Sequence, residues 1–102
     1  MSFPEYEQLA DALLCLIFQK GGTTYSLSPK QTYDPLADFF GLDEKERRKL
    51  REDGYPGLQW RNRVKWTRQF LINKGYLDGR VRGVWQLTDQ GIYHASRLKI
   101  RF

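Results

Sequence analysis

Residues 59–91 read QWRNRVKWTRQFLINKGYLDGRVRGVWQLTDQG, and their order decides the fold. Over residues 59–74, Val64, Thr67, Phe70, Leu71 and the stem of Lys74 recur at helical spacing, with Trp60 at the start of the stripe. Gly75 supplies a C-terminal stop. Tyr76-Leu77-Asp78 and Val84-Trp85-Gln86-Leu87 then read as two short strands around the basic turn Gly79 to Gly83, a hairpin with a five-residue loop. Thr88 is placed to cap a last helix that runs to about Leu98.

Upstream, Tyr6, Leu9, Ala10, Leu13, Leu14 and Ile17 predict a helix over residues 4–20, with Pro4 in its first turn and Gly21-Gly22 as its stop. Thr23 to Leu27 reads as a small strand. Asp34-Pro35 reads as a helix start, so residues 29–40 form either one kinked helix or two pieces. Asp43 and Glu46 have capping-box spacing and open a short charged helix to about Arg51. A turn over Gly54 to Gly57 joins it to the helix at 59. The order is helix, strand, helix, short helix, helix, strand, turn, strand, helix. It predicts one α+β domain over residues 1–102, a winged helix-turn-helix with a helical core followed by a β-hairpin wing. In that layout the helix before the hairpin enters the major groove of DNA.

Charge agrees with such a partner. The chain carries a net charge of +5, unevenly spread. Residues 1–58 hold seven Lys/Arg against ten Asp/Glu, whereas residues 59–102 hold ten Lys/Arg against only Asp78 and Asp89. A one-sided positive potential of this kind suits a polyanion. On helix 59–74, Arg61, Lys65 and Arg68 are spaced by four and three residues and share a strip, with Asn62 and Gln69 beside it. Arg and Lys read guanine edges, and Asn and Gln read adenine. The strip has no acid, unlike an ordinary solvated face. Arg80 and Arg82 at the hairpin tip suit phosphates or the minor groove. Trp60, at the start of its helix, is a further candidate DNA contact. Trp66 and Trp85 are expected in the core, and Arg63 either packs as a brace or joins the DNA face. Arg97, Lys99 and Arg101 extend the basic strip or begin a linker. Lys30, outside the basic half, is expected to matter little.

The string from Asn62 to Leu77, followed by Arg82-Gly83-Val-Trp85-Gln-Leu87-Thr88-Asp-Gln-Gly91, resembles the N-terminal winged-helix domain of Mrr-type restriction enzymes, which cut modified DNA. The shared pattern is an Arg, a Trp, a leucine and a Gly-hydrophobic break, then Gly-x-Trp-x-Leu-Thr-x-x-Gly. The likeness is close over residues 60–95 and loose over 4–50. The resemblance implies double-stranded DNA as partner, a targeting role beside a nuclease domain in a longer protein, and sensitivity to modified cytosine.

The chain's residues offer no chemistry of their own. One Cys and one His, Cys15 and His94, cannot furnish a standard zinc set. No Ser/Cys–His arrangement or phosphate-binding glycine loop is present, and Asp43-Glu44-Lys45 falls at a helix start rather than on a strand. The expectation is a non-enzyme with no catalytic residue, metal, cofactor or small-molecule substrate. No apolar run approaches the ~20 residues of a membrane span. The N-terminal Met-Ser-Phe-Pro-Glu lacks a signal-peptide pattern, so a cytoplasmic location is the default. Two rival readings use the same fold: a protein-interaction module, and a transcription regulator that binds as a dimer.

Overall fold

The first apolar run closes into α1 (Tyr6–Lys20), in which Ala12 to Ile17 are all buried, so the helix is enclosed on every side. The computed structural model describes residues 3–102; Met1 and Ser2, part of the N-terminal stretch read above, lie outside the described residues. Pro4 stands ahead of α1 rather than in its first turn. Glu5 caps the helix, and its backbone N–H donates to the Gln8 side chain at 3.3 Å. A single turn of 3-10 helix over Gly22–Thr24 follows, then β1 (Ser26–Leu27), shorter than the strand expected.

The second helix corrects the start signal at Asp34-Pro35. α2 (Lys30–Phe39) is continuous and contains Pro35. Its N-terminal groups are satisfied upstream: Ser28 N–H donates to Gln31 Oε1 at 2.8 Å, and the Thr32 hydroxyl donates to Pro29 O at 2.6 Å. Thr32, Tyr33, Leu36 and Ala37 are buried together on one face. Burying such side chains is worth about 1.5–3 kcal/mol each for the larger apolar ones, enough to outweigh the backbone bond that proline removes.

α3 (Glu44–Arg48) begins with the expected box. Glu46 N–H donates to Asp43 Oδ1 at 2.8 Å, and Asp43 N–H donates to Glu46 Oε1 at 2.9 Å. It ends three residues before Arg51, where an isolated antiparallel bridge between Leu50 and Leu58 closes the turn. α4 (Gln59–Asn73) buries Trp60, Val64, Thr67 and Leu71. Gly75, at φ +83°, takes the left-handed conformation that ends the helix. β2 (Leu77–Asp78) and β3 (Trp85–Leu87) pair antiparallel, Leu77 opposite Leu87, and β1 adds to the other edge of β3.

α5 (Asp89–Ser96) explains the Leu-Thr-x-x-Gly ending physically. The Thr88 hydroxyl accepts from Gly91 N–H at 3.0 Å and donates to Gly75 O at 2.6 Å, so one side chain caps α5 and ties it to the end of α4. Gly91 lies against the Tyr76 carbonyl, leaving no room for a Cβ. α1 touches α2, α4, α5, β1 and β3, and the remaining elements assemble around it. Helical core, recognition-position helix and antiparallel hairpin together make the α+β winged helix expected. No helix among the described residues is long and apolar enough to cross a membrane.

Gly91→Ala should lower stability by about 1–3 kcal/mol, since a methyl must displace the Tyr76 backbone. Thermal unfolding followed by circular dichroism checks this; an unchanged Tm would contradict the contact.

Candidate nucleic-acid interface

The buried stripe of α4 determines what the helix presents outward. Trp60, Val64, Thr67 and Leu71 face the core, and Arg61, Lys65 and Gln69 are exposed, with Asn62 and Arg68 half-buried beside them. All five polar residues expected to contact DNA are therefore accessible on one helix. Arg61 lies over the Tyr33 ring at 5.2 Å, and Arg68 over the Trp85 ring at 5.9 Å. Stacking of this kind holds a guanidinium plane while leaving its terminal nitrogens able to donate. Gln69 donates to Asn73 Oδ1 at 3.1 Å.

Two tryptophans exchange their expected roles. Trp60 is only 3 % exposed. It stands four residues before Val64 and seven before Thr67, so helical geometry turns it into the core stripe. Its indole N–H donates to Tyr33 O at 2.9 Å, and the rings of Phe3 and Phe40 pack at 5.5 and 6.5 Å. Trp60 is thus removed from the candidate DNA contacts. Trp66, expected in the core, is 58 % exposed, because it falls two residues beyond Val64 and one short of Thr67, off the stripe. Trp85 is in the core as expected, 4 % exposed on β3.

Arg63 acts as a brace. Its Nε and a terminal nitrogen both donate to Pro4 O, at 3.0 and 2.7 Å, and its guanidinium lies 4.3 Å from the centre of the Tyr6 ring. Arg97 bonds and stacks on Tyr93, while Lys99 and Arg101 border a separate cleft with Phe18 and Gln19. Gln19 accepts from Phe102 N–H and donates to Ile100 O, so residues 100–102 are tied to α1. None of these three cations borders the surface between α4 and the wing.

That surface is concave. A cleft of about 500 Å³ runs between α4 and the 79–84 loop, bordered by Pro29, Lys65, Arg68, Gly79, Arg80, Arg82, Gly83 and Trp85. Four cations from two elements thus meet at one place. Arg80 is already paired: its backbone N–H and guanidinium donate to Asp78, with the closest contact at 2.7 Å. These bonds from Arg80 pull the Asp78 carboxyl down to about 2. Pro29 was not foreseen here, and neither was the position of Lys30, exposed at the start of α2 directly beside it. The acidic half of the chain therefore contributes to the border of the basic surface.

The remaining reactive groups are accounted for structurally. Cys15 is buried, and that burial pushes its thiol up from the usual range. His94 stacks on Tyr76 with ring centres 4.7 Å apart. No group of three or more His, Cys, Asp or Glu side chains able to hold a metal occurs among the described residues.

Fold and surface define a winged-helix domain with a cationic face built from helix and wing. The sequence profile of the Mrr N-terminal domain matches residues 6–96, and the chain belongs to that family. Membership links it to restriction systems, as an N-terminal domain that is not itself the catalytic one and that accompanies a nuclease domain in parent proteins. No curated protein and no solved structure matches the chain.

The three tryptophans allow a direct check of this surface. Iodide should quench Trp66 emission strongly and Trp60 and Trp85 weakly, so Trp66→Phe should remove most of the quenchable signal. Retention of that signal in Trp66→Phe would place another tryptophan at the surface.

Proposed function

We infer that this domain binds double-stranded DNA as the target-recognition module of a restriction or defence endonuclease, with α4 in the major groove and the wing on the backbone. The observation that carries the reading is the acid-free strip of Arg61, Asn62, Lys65, Arg68 and Gln69 on the helix that precedes the hairpin, continued by Arg82 across the cleft. Winged helices that read DNA offer the groove this helix. A protein-docking face depletes charge at its centre, and this one concentrates it.

Recognition divides by geometry. Arg61, Asn62 and Gln69 on the outer face of α4 meet base edges, whereas Lys65 and Arg68 at the cleft, with Arg80 and Arg82 on the loop, meet phosphates. The sensitivity to modified cytosine rests on family membership. Its physical route is an apolar contact to a substituent in the major groove, as a thymine methyl is read. Trp66, exposed on α4 beside Lys65, takes the part for which Trp60 is too deeply buried. Matched duplexes with and without 5-methylcytosine test this: Trp66→Ala should abolish a preference shown by the parent, and equal affinities of the parent for both duplexes would remove the claim.

Binding should weaken with salt. If the four cleft cations each meet a phosphate, log K should fall with log salt at a slope of roughly −4, by counterion release. Arg61→Ala should cost about 1–3 kcal/mol on the preferred sequence and less on others. Arg82→Ala should weaken all sequences alike and reduce the slope by about one. Lys99→Ala, on the separate cleft, is the control. Fluorescence-anisotropy titration of folded variants at two salt concentrations measures these effects. A flat salt dependence, or a loss with Lys99→Ala and none with Arg61→Ala, would contradict the docking.

A further inference from the structure

We propose that the cleft between α4 and the wing seats one backbone phosphodiester of the bound duplex, and that Asp78 is the internal anion which this phosphate displaces from Arg80. The inference rests on the DNA-binding reading and adds to it a defined phosphate position and an acid that opposes binding.

The cleft has the composition of an anion seat. Lys65, Arg68, Arg80 and Arg82 border it, with no carboxylate among the bordering residues. Arg68 is held in advance, its guanidinium over Trp85. Its Nε is buried and has no hydrogen-bond partner among the described residues. The Nε itself is closed off, so an arriving phosphate oxygen would be met by the terminal nitrogens of the guanidinium. Because Trp85 belongs to the core, Arg68 loses little freedom when the anion arrives.

Asp78 and Arg80 differ in how they are held. The Asp78 side chain is 21 % exposed on β2, whereas that of Arg80 is 88 % exposed on the loop. The acid is the fixed partner and the arginine the movable one. Their pair is solvent-exposed on the arginine side, and such pairs are weak enough to exchange. A phosphodiester brings one negative charge and two free oxygens, which match the guanidinium as the carboxylate does. After exchange, Asp78 keeps the backbone N–H of Arg80, which it already accepts at 3.0 Å. Its charge then faces the phosphate and reduces affinity. Asp78 thus limits non-selective adhesion of the wing to any polyanion.

Asp78→Asn removes the charge and keeps an oxygen for the Arg80 N–H. It should tighten duplex binding about fivefold at low salt, the effect of one like charge near a phosphate in water. Arg80→Ala should cost more affinity in the Asp78→Asn background than in the parent, because Arg80 is no longer neutralised at home. Asp78→Ser, with a shorter acceptor, should behave like Asp78→Asn, and thermal melts confirm that both fold. A duplex scanned with single neutral methylphosphonates should lose affinity most at one position. That loss should vanish in Arg68→Ala/Arg82→Ala. Inorganic phosphate at millimolar concentration should compete no better than chloride of equal ionic strength. Competition well beyond chloride would make the cleft a free-phosphate site and overturn the assignment. If both Asp78 variants bind as the parent does or more weakly, with an unchanged Arg80→Ala penalty, the displacement is wrong while DNA binding stands. If the parent binds no duplex at all, the DNA-binding reading itself falls.

Discussion

The burial of one stripe of α4 sets the rotation of that helix, and the cationic face follows from the rotation. Trp60, Val64, Thr67 and Leu71 lock against α1 and α2, and the Trp60 indole N–H bonded to Tyr33 O pins the N-terminal end. Each residue of a helix is turned by about 100° from the last. A one-residue slip of the stripe would therefore carry Arg61 and Lys65 toward the core and bring apolar groups outward. Truncating the anchor, Trp60, removes packing on the order of 3–5 kcal/mol and loosens that setting.

The cap at Thr88 then sets where the wing stands relative to α4. One hydroxyl joins the end of α4, through Gly75 O, to the start of α5, through Gly91 N–H. β2 and β3 lie between these fixed points, so the 79–84 loop is projected beside Arg68 and Lys65 rather than away from them. The electrostatics follow from this packing. Cations that belong to two elements share one concave surface, and Asp78, on β2 ahead of the loop, is paired with Arg80.

Features governed by neighbours in the chain were legible in the sequence. The Asp43–Glu46 box, the Thr88 cap, the stop at Gly75 and the hairpin all depend on residues a few positions apart. The element order and the polar strip of α4 followed from periodicity. Most of what failed depended on packing or pairing that spacing along the chain does not reveal. Trp60 stood on the stripe by spacing, yet only Tyr33, 27 residues away, shows that its ring is enclosed. Trp66 was expected in the core, against its angular position on the helix. The apparent start at Asp34-Pro35 lost to the burial of Tyr33 and Leu36 on one continuous face. Arg80 was assigned to phosphates or the minor groove without its pairing to Asp78, although that acid stands only two residues back. The Arg63 brace needs Pro4, which lies 59 residues earlier.

The central claim is that the outer face of α4 and the wing form the DNA-binding surface. Amide and indole chemical shifts of the isotope-labelled domain, followed by NMR during titration with a duplex, test it residue by residue. The account predicts that the largest changes fall on Arg61, Asn62, Lys65, the Trp66 indole, Gln69 and residues 79–84, with the Trp60 indole and residues 97–102 nearly still. Changes concentrated instead around Phe39 and residues 97–102, with α4 and the wing unmoved, would contradict it.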